Sequence, residues 1–174
     1  MAPTLRPATM HDVPRLHALA GYPSVYRFLF DGVAPSEHYI AGRVMEAIAN
    51  ANRAGLGIWV LEGPRAPCAG CVELRPTPEP RLAELTYLLH PDHWGRGLAT
   101  RMAWTAITLA FASPHIDCVV AGHDLPNTAS VTVMRRLGMR FHRDVRYPLG
   151  AGAEYILRRD DTGPVPRPEA IPII

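Results

Sequence analysis

The sequence predicts an α/β fold, a central mixed and mostly antiparallel sheet of about six to seven strands flanked by about four helices. Three observations predict it. Short apolar runs at Gly57 to Leu61, Ala69 to Leu74 and Leu82 to Leu89 are separated by Gly63-Pro64 and by Pro76-Thr77-Pro78, the spacing of an antiparallel meander. Next, Arg101 to Ala112 has the length and composition of a buried helix, and Ile116 to Gly122 follows it as an unbroken apolar strand, so the pair reads as a parallel crossover. Finally, two segments ahead of the meander repeat their apolar residues at helical spacing.

Taken in order, Thr4 to Pro7 reads as an opening strand, and Thr9-Met10-His11-Asp12 has the Thr-x-x-acid form of a capping box ahead of Val13, Leu16 and Leu19. Gly21 to Val33 carries Tyr22, Tyr26, Phe28 and Phe30 without amphipathic order. A second helix starts at Pro35-Ser36-Glu37, capped by Ser36, buries Ile40, Val44 and Ile48, and ends near Gly55. After the crossover, Asn127 caps a helix with Val131, Met134 and Leu137 on one face, and Gly138 occupies the usual left-handed C-terminal position. Met139 to Tyr147 and Ala153 to Leu157 close the fold as a hairpin around Pro148 to Gly152. Residues 1–159 are expected to form one domain. Residues 160–174, with Pro164, Pro166, Pro168 and Pro172, form an extended tail, free or draped on the surface.

Composition narrows the function. A formal charge of +2 with scattered arginines gives no broad nucleic-acid face. The longest apolar stretch, Met102 to Ala112, is shorter than the roughly 18 residues that span a bilayer, and no export signal opens the chain. A cytoplasmic protein with reduced thiols is expected. Cys68 and Cys71 have Cys-x-x-Cys spacing and His90 and His93 lie near, but residues three apart on a strand point to opposite faces, so no metal site is expected.

The run Trp94-Gly95-Arg96-Gly97-Leu98-Ala99 lies between a strand and a helix. Glycines let a ligand approach the backbone there, and the first helical N–H groups, lacking internal partners, favour an anion. Neither a Walker loop nor a dinucleotide fingerprint matches it. Glycines also mark ordinary turns, so the run alone fits both readings.

Two blocks extend it: Glu84-Leu85-Thr86-Tyr87-Leu88-Leu89-His90-Pro91-Asp92-His93-Trp94-Gly95-Arg96-Gly97-Leu98-Ala99-Thr100, and Asn127-Thr128-Ala129-Ser130 followed by Met134-Arg135-Arg136-Leu137-Gly138-Met139. With the element order, they resemble the GNAT superfamily of acetyl-CoA-dependent N-acetyltransferases, in the branch of the ribosomal-protein N-terminal acetyltransferases RimJ and RimL. The resemblance spans about Thr4 to Leu157. It implies that the amides of Trp94, Gly95, Arg96, Gly97, Leu98 and Ala99 cradle the coenzyme A pyrophosphate, and that main-chain groups of Leu89 pair with the pantetheine arm and polarise the thioester. Arg96 either adds a phosphate contact or is a solvated arginine. Asn127 and Ser130 are implied to contact coenzyme A, although Asn127 equally suits a helix cap.

The same resemblance makes the chain an enzyme transferring an acetyl group to a primary amine, a protein N-terminus, amino acid or small amine, by direct attack. A carboxylate reached through water then serves as base. Glu84 is the first candidate, with pairing to an arginine as its alternative, and Glu73 is the reserve. The tyrosine that many relatives place near the end of the last helix is Met134 here, so Ser130 is expected to serve the leaving thiolate. Cys118, mid-strand in an apolar run, is not expected to act as nucleophile. Tyr22, Tyr26, Phe28 and Pro148 to Gly152 are expected near the acceptor, and the lack of a conspicuous acidic cluster makes a polycation less attractive. Expected partners are acetyl-CoA and the amine, with neither nucleic acid nor membrane; a homodimer is left open. The alternatives are a catalytically idle acyl-CoA-binding sensor or scaffold, and a nucleotide-phosphate binder.

Overall fold

A computed structural model describes residues 2–54, 56–63, 66–161 and 168–174. Gly55, Pro64, Pro164 and Pro166, which the sequence marks as breakers, lie outside the described residues. The order is β1 (Thr4–Pro7), α1 (Val13–Ala20), α2 (Pro23–Tyr26), α3 (Glu37–Ala54), β2 (Gly57–Gly63), β3 (Ala66–Pro76), β4 (Leu82–Leu89), α4 (Leu98–Ala112), β5 (Cys118–Asp124), α5 (Thr128–Arg136), β6 (Arg140–Tyr147) and β7 (Gly150–Arg158). The seven strands form one sheet, β1-β2-β3-β4-β5-β7-β6, antiparallel everywhere except between β4 and β5.

Two apolar clusters sandwich the sheet. Leu16, Leu19, Ile40 and Val44 of α1 and α3 cover Ile58, Val60 and Cys71 on one face. Met102, Ala106 and Ile107 of α4 and Met134 of α5 cover Leu61, Val72, Leu85 and Val119 on the other. The acidic half of the capping box forms, since the Asp12 carboxylate accepts from Thr9 N–H at 2.9 Å. Ser36 Oγ accepts from Tyr39 N–H at 3.1 Å and so caps α3.

Several expectations shift in detail. Ile48 is exposed; the buried face of α3 runs Ile40, Val44, Ala47, because a 3.6-residue period drifts away from strict four-residue spacing. The segment after α1 contains the one-turn helix α2, which makes five α-helices among the described residues. Helix α4 begins at Leu98 rather than Arg101, and β5 runs two residues later than Ile116 to Gly122, which makes Cys118 its first residue rather than a central one. The hairpin loop shrinks to Pro148-Leu149, because pairing continues to Tyr147↔Gly150. Cys68 and Cys71 pack against the same cluster, beside a register irregularity between Leu61 and Gly63 on the neighbouring strand, and no group of three metal-capable side chains occurs among the described residues. Among those residues no helix is long and apolar enough to cross a membrane.

The end of the tail is docked, not free. Leu5 N–H donates to Pro172 O at 2.8 Å, Ile174 N–H donates to Leu5 O at 2.9 Å, and Ile171 is buried against α4, where its N–H donates to Thr105 Oγ1. This covers the outer edge of β1.

Candidate active site

Strands β4 and β5 pair at three positions only, Leu82↔Cys118, Ala83↔Val119 and Glu84↔Val120. Beyond them β4 stays with β3 as far as Leu89 and β5 stays with β7 as far as Asp124, so a gap opens in the middle of the sheet. Its edge carries usable backbone. His90 N–H donates to Ala69 O at 2.9 Å, and antiparallel alternation then turns the N–H and C=O of Leu89 and Tyr87 away from β3 and into the gap. Trp94 engages one of these groups: its indole Nε1–H donates to Leu89 O at 2.7 Å, leaving the Leu89 N–H. A carbonyl oxygen has two lone pairs, so the indole bond occupies one acceptor position of Leu89 O and leaves the other.

The gap widens into a cleft of about 750 Å³ that runs across both faces of the sheet. On the α4 side it is lined by Trp94, Gly95, Gly97, Leu98, Ala99, Asn127 and Ser130, so seven residues predicted from two sequence blocks meet in one cavity. Gly95 and Gly97 have φ of 74° and 72°, a left-handed conformation that other residues adopt only with strain, and Gly97 caps α4. The first intrahelical bond is Arg101 N–H to Gly97 O, which leaves the amides of the first turn open. Arg96 is exposed and does not line the cleft. Asn127 is a cap, its Oδ1 accepting from Ser130 N–H at 3.2 Å.

Ser130 has a partner that sequence spacing did not suggest. Its Oγ lies 2.7 Å from the Tyr87 hydroxyl, whose single proton can go to Oγ or to Ser130 O at 3.1 Å. Burial pushes the Tyr87 hydroxyl up to about 12, against the opposing effect of the serine bond, so it holds its proton. Tyr87 and Ser130 are 43 positions apart, and only the packing of α5 over β4 brings them together.

The opposite half of the cleft is lined by α2, the turn after it, β3 and β6. Glu84 Oε2 accepts from Arg75 Nε at 2.8 Å and Nη2 at 2.5 Å across Arg75↔Glu84, so the arginine pairing weighed in the sequence is formed. Glu73 meets Arg43 at 2.5 Å; burial pushes its carboxyl up, and Arg43 opposes this. Asp31 and Asp124 also line this half. Asp31 stands in a turn where Phe30, Asp31 and Gly32 all have left-handed φ, 53°, 56° and 72°, a strained arrangement at the cleft mouth. Tyr147 lies over Gly122 and Gly152, where any Cβ would strike its ring or hydroxyl. Of the aromatic residues expected near the acceptor, Phe28 lines the cleft, whereas Tyr22 packs edge-on against His90 at 4.5 Å. Leu149 is the part of the hairpin turn that reaches it. Four carboxylates thus converge where the sequence shows no acidic cluster, because they are spread from position 31 to position 124.

The acetyltransferase (GNAT) domain family model matches residues 4–140. The chain belongs to the GNAT acetyltransferase family. The fold of this GNAT domain is similar to that of RimL, a ribosomal L7/L12 α-N-protein acetyltransferase solved with coenzyme A, at 20% identity over 91% of this chain and 94% of that one, with a TM-score of 0.75. It is similar to yncA of Salmonella typhimurium, solved with acetyl-CoA, at 16% identity over 95% and 99% with a TM-score of 0.75. It is also similar to AAC(6')-Ib, solved with ribostamycin and coenzyme A, at 14% identity over 94% and 99% with a TM-score of 0.74.

Proposed function

We propose that this GNAT domain moves an acetyl group from acetyl-CoA to a primary amine, a protein N-terminus, an amino acid or a small amine, by direct attack with both substrates bound. The gap between β4 and β5 carries this reading. It joins the open helix end to a carboxylate-lined acceptor side through backbone donors that β3 leaves unpaired, Leu89 N–H among them. Structures of the same fold solved with coenzyme A or acetyl-CoA support the choice of donor.

The thioester supplies an activated carbonyl and a thiolate leaving group. The amides from Trp94 to Ala99 and the open first turn of α4 hold the pyrophosphate, with Arg96 available beside them for a charge-assisted contact. Leu89 N–H donates to the carbonyl oxygen as charge develops there. Trp94 fixes the strand end by holding Leu89 O. Asn127 keeps the first turn of α5 in place, and Ser130, backed by Tyr87, donates to the departing sulfur. Glu84 is oriented through Oε2 by Arg75, which leaves Oε1 to accept a proton from the amine through a chain of waters along the gap. Cys118 takes no part, because it lies at the far end of β5 from the cleft.

Free-thiol release from acetyl-CoA across a panel of peptides, amino acids and amines tests the proposal, with coenzyme A affinity measured by calorimetry. Glu84→Gln is expected to lower kcat by about 100-fold or more while coenzyme A binds within about threefold of wild type. Comparable turnover in that variant removes the base assignment. Met134 at the usual tyrosine position and the engagement of Glu84 by Arg75 favour a second reading, an acyl-CoA-binding module without turnover. Coenzyme A binding with no thiol release across the panel would select it.

A further inference from the structure

The carboxylates of the cleft are of two kinds. Glu73 and Glu84 each have a guanidinium, from Arg43 and Arg75. Asp31 and Asp124 have no basic ion-pair partner among the described residues. Asp124 is 8% exposed, and its Oδ1 accepts no hydrogen bond. The groups facing it are His123 from its own strand, Asp31 from the turn after α2, and Tyr147 from β6. His123 does not satisfy it: Nδ1–H is directed to Asp124 O at 2.7 Å, and Nε2 is itself unpaired and buried. Burial pushes the Asp124 carboxyl up, His123 opposes this, and the charge of Asp31 adds to the rise, so a cation placed between the two carboxylates is favoured.

Strand register shows what this pair faces. Carrying Glu84↔Val120 forward by four residues brings Asp124 level with Leu88, one residue from the Leu89 N–H that points into the gap. Glu84 lies deeper, at the vertex where the strands separate. Asp124 therefore stands toward the reacting end of the cleft, which Asp31 lines from the turn after α2. No third His, Cys, Asp or Glu joins them in a metal-holding group among the described residues. An organic cation satisfies them with fewer geometric demands than a divalent ion does.

Resting on the acetyl-transfer reading, we propose that Asp124 receives the ammonium group of the reacting amine and Asp31 holds a second ammonium group of the same molecule. The acceptor class is then a diamine or larger polycation. A monoamine leaves Asp31 unsatisfied, and an amino acid brings a carboxylate against two others. This reverses the expectation that a polycation is disfavoured, and the reversal comes from charges that only the fold assembles.

Three probes of equal length separate the cases: the four-carbon α,ω-diamine, n-butylamine and the four-carbon ω-amino acid, each assayed by thiol release from acetyl-CoA. The diamine is expected to exceed butylamine in kcat/KM by about 10 to 100-fold, the worth of one charge-assisted contact, with the amino acid lowest. Asp31→Asn is expected to shrink the ratio of diamine to monoamine to about threefold or less, and Asp124→Asn to lower kcat/KM for both amines by about tenfold or more. Calorimetric titration of the diamine into the coenzyme A complex reads recognition without turnover, and its affinity is expected to fall in both variants. Equal kcat/KM for diamine and monoamine, or a ratio unmoved by Asp31→Asn, overturns the assignment while acetyl transfer stands. Diamine binding that depends on Asp31 and Asp124 without thiol release supports the assignment and rejects acetyl transfer.

Discussion

At the scale of single residues, chemistry in this cleft depends on pairs that spacing does not reveal. Ser130 is free to donate to a leaving group when the Tyr87 hydroxyl at 2.7 Å gives its proton to Ser130 Oγ rather than receiving one, and burial keeps that tyrosine proton in place. Ser130→Ala and Tyr87→Phe are each expected to lower kcat by about tenfold, and the double variant by little more than either, because the two act as one unit. Steady-state kinetics on the four proteins checks this, and additive losses would separate the two roles. Trp94 is a second case. The sequence places it beside the glycines as part of an implied pyrophosphate cradle, whereas its indole hydrogen bond gives it a further physical task, holding the end of β4 beside the gap.

At the scale of elements, the site exists because two strands part and two helices begin beside the opening. Separation follows from unequal loyalties: β4 continues along β3 and β5 along β7, and twist carries the two pairs apart. The start of α4 requires Gly97 at φ 72°, with open space around the position of a Cβ. Gly97→Ala is therefore strained without being crowded. The expected cost is about 1 kcal/mol of stability, with coenzyme A affinity reduced several-fold by the displaced first turn. Thermal unfolding and calorimetry read the two effects separately, and unchanged affinity would mean that the helix end holds no anion. The link between β1 and the entry to α1 has its own signature in pH. Asp12 is held at about 2, below its ordinary 3.8, chiefly by the Arg6 guanidinium at 2.7 Å. A carboxyl lowered in the folded state stabilises it above the unfolded value and loses that contribution as pH falls, here between about 4 and 2. Asp12→Asn is expected to cost about 2 kcal/mol at pH 7 and to flatten the dependence of the urea midpoint on pH in that window.

At the scale of the molecule, the chain closes on itself. Ile171 is 1% exposed among residues of α4, and its neighbours pair with Leu5 on the opening strand. Ile171→Ala is expected to cost about 2 to 5 kcal/mol, the range for removing a branched side chain from a packed core. Denaturant unfolding checks it, and a loss below 1 kcal/mol would mean that the tail is only draped.

The sequence by itself determined the strand and helix order, the glycine turn between β4 and α4, and the Asn127 to Ser130 helix start. Each of these is local: turn residues, caps and apolar periods act within a few positions, so they can be read from neighbouring letters. Bounds such as β1 and β4 are legible to the residue, because a proline or a polar flank stops the strand there. Three features were left to tertiary structure. Tyr87 meets Ser130 and Arg75 meets Glu84, and Asp31 comes to line the same cleft as Asp124, across separations of 43, 9 and 93 positions. A charge's partner is set by distance in space, and only the splayed sheet, with helices on both faces, fixes which carboxylates are neutralised and which are left facing the substrate.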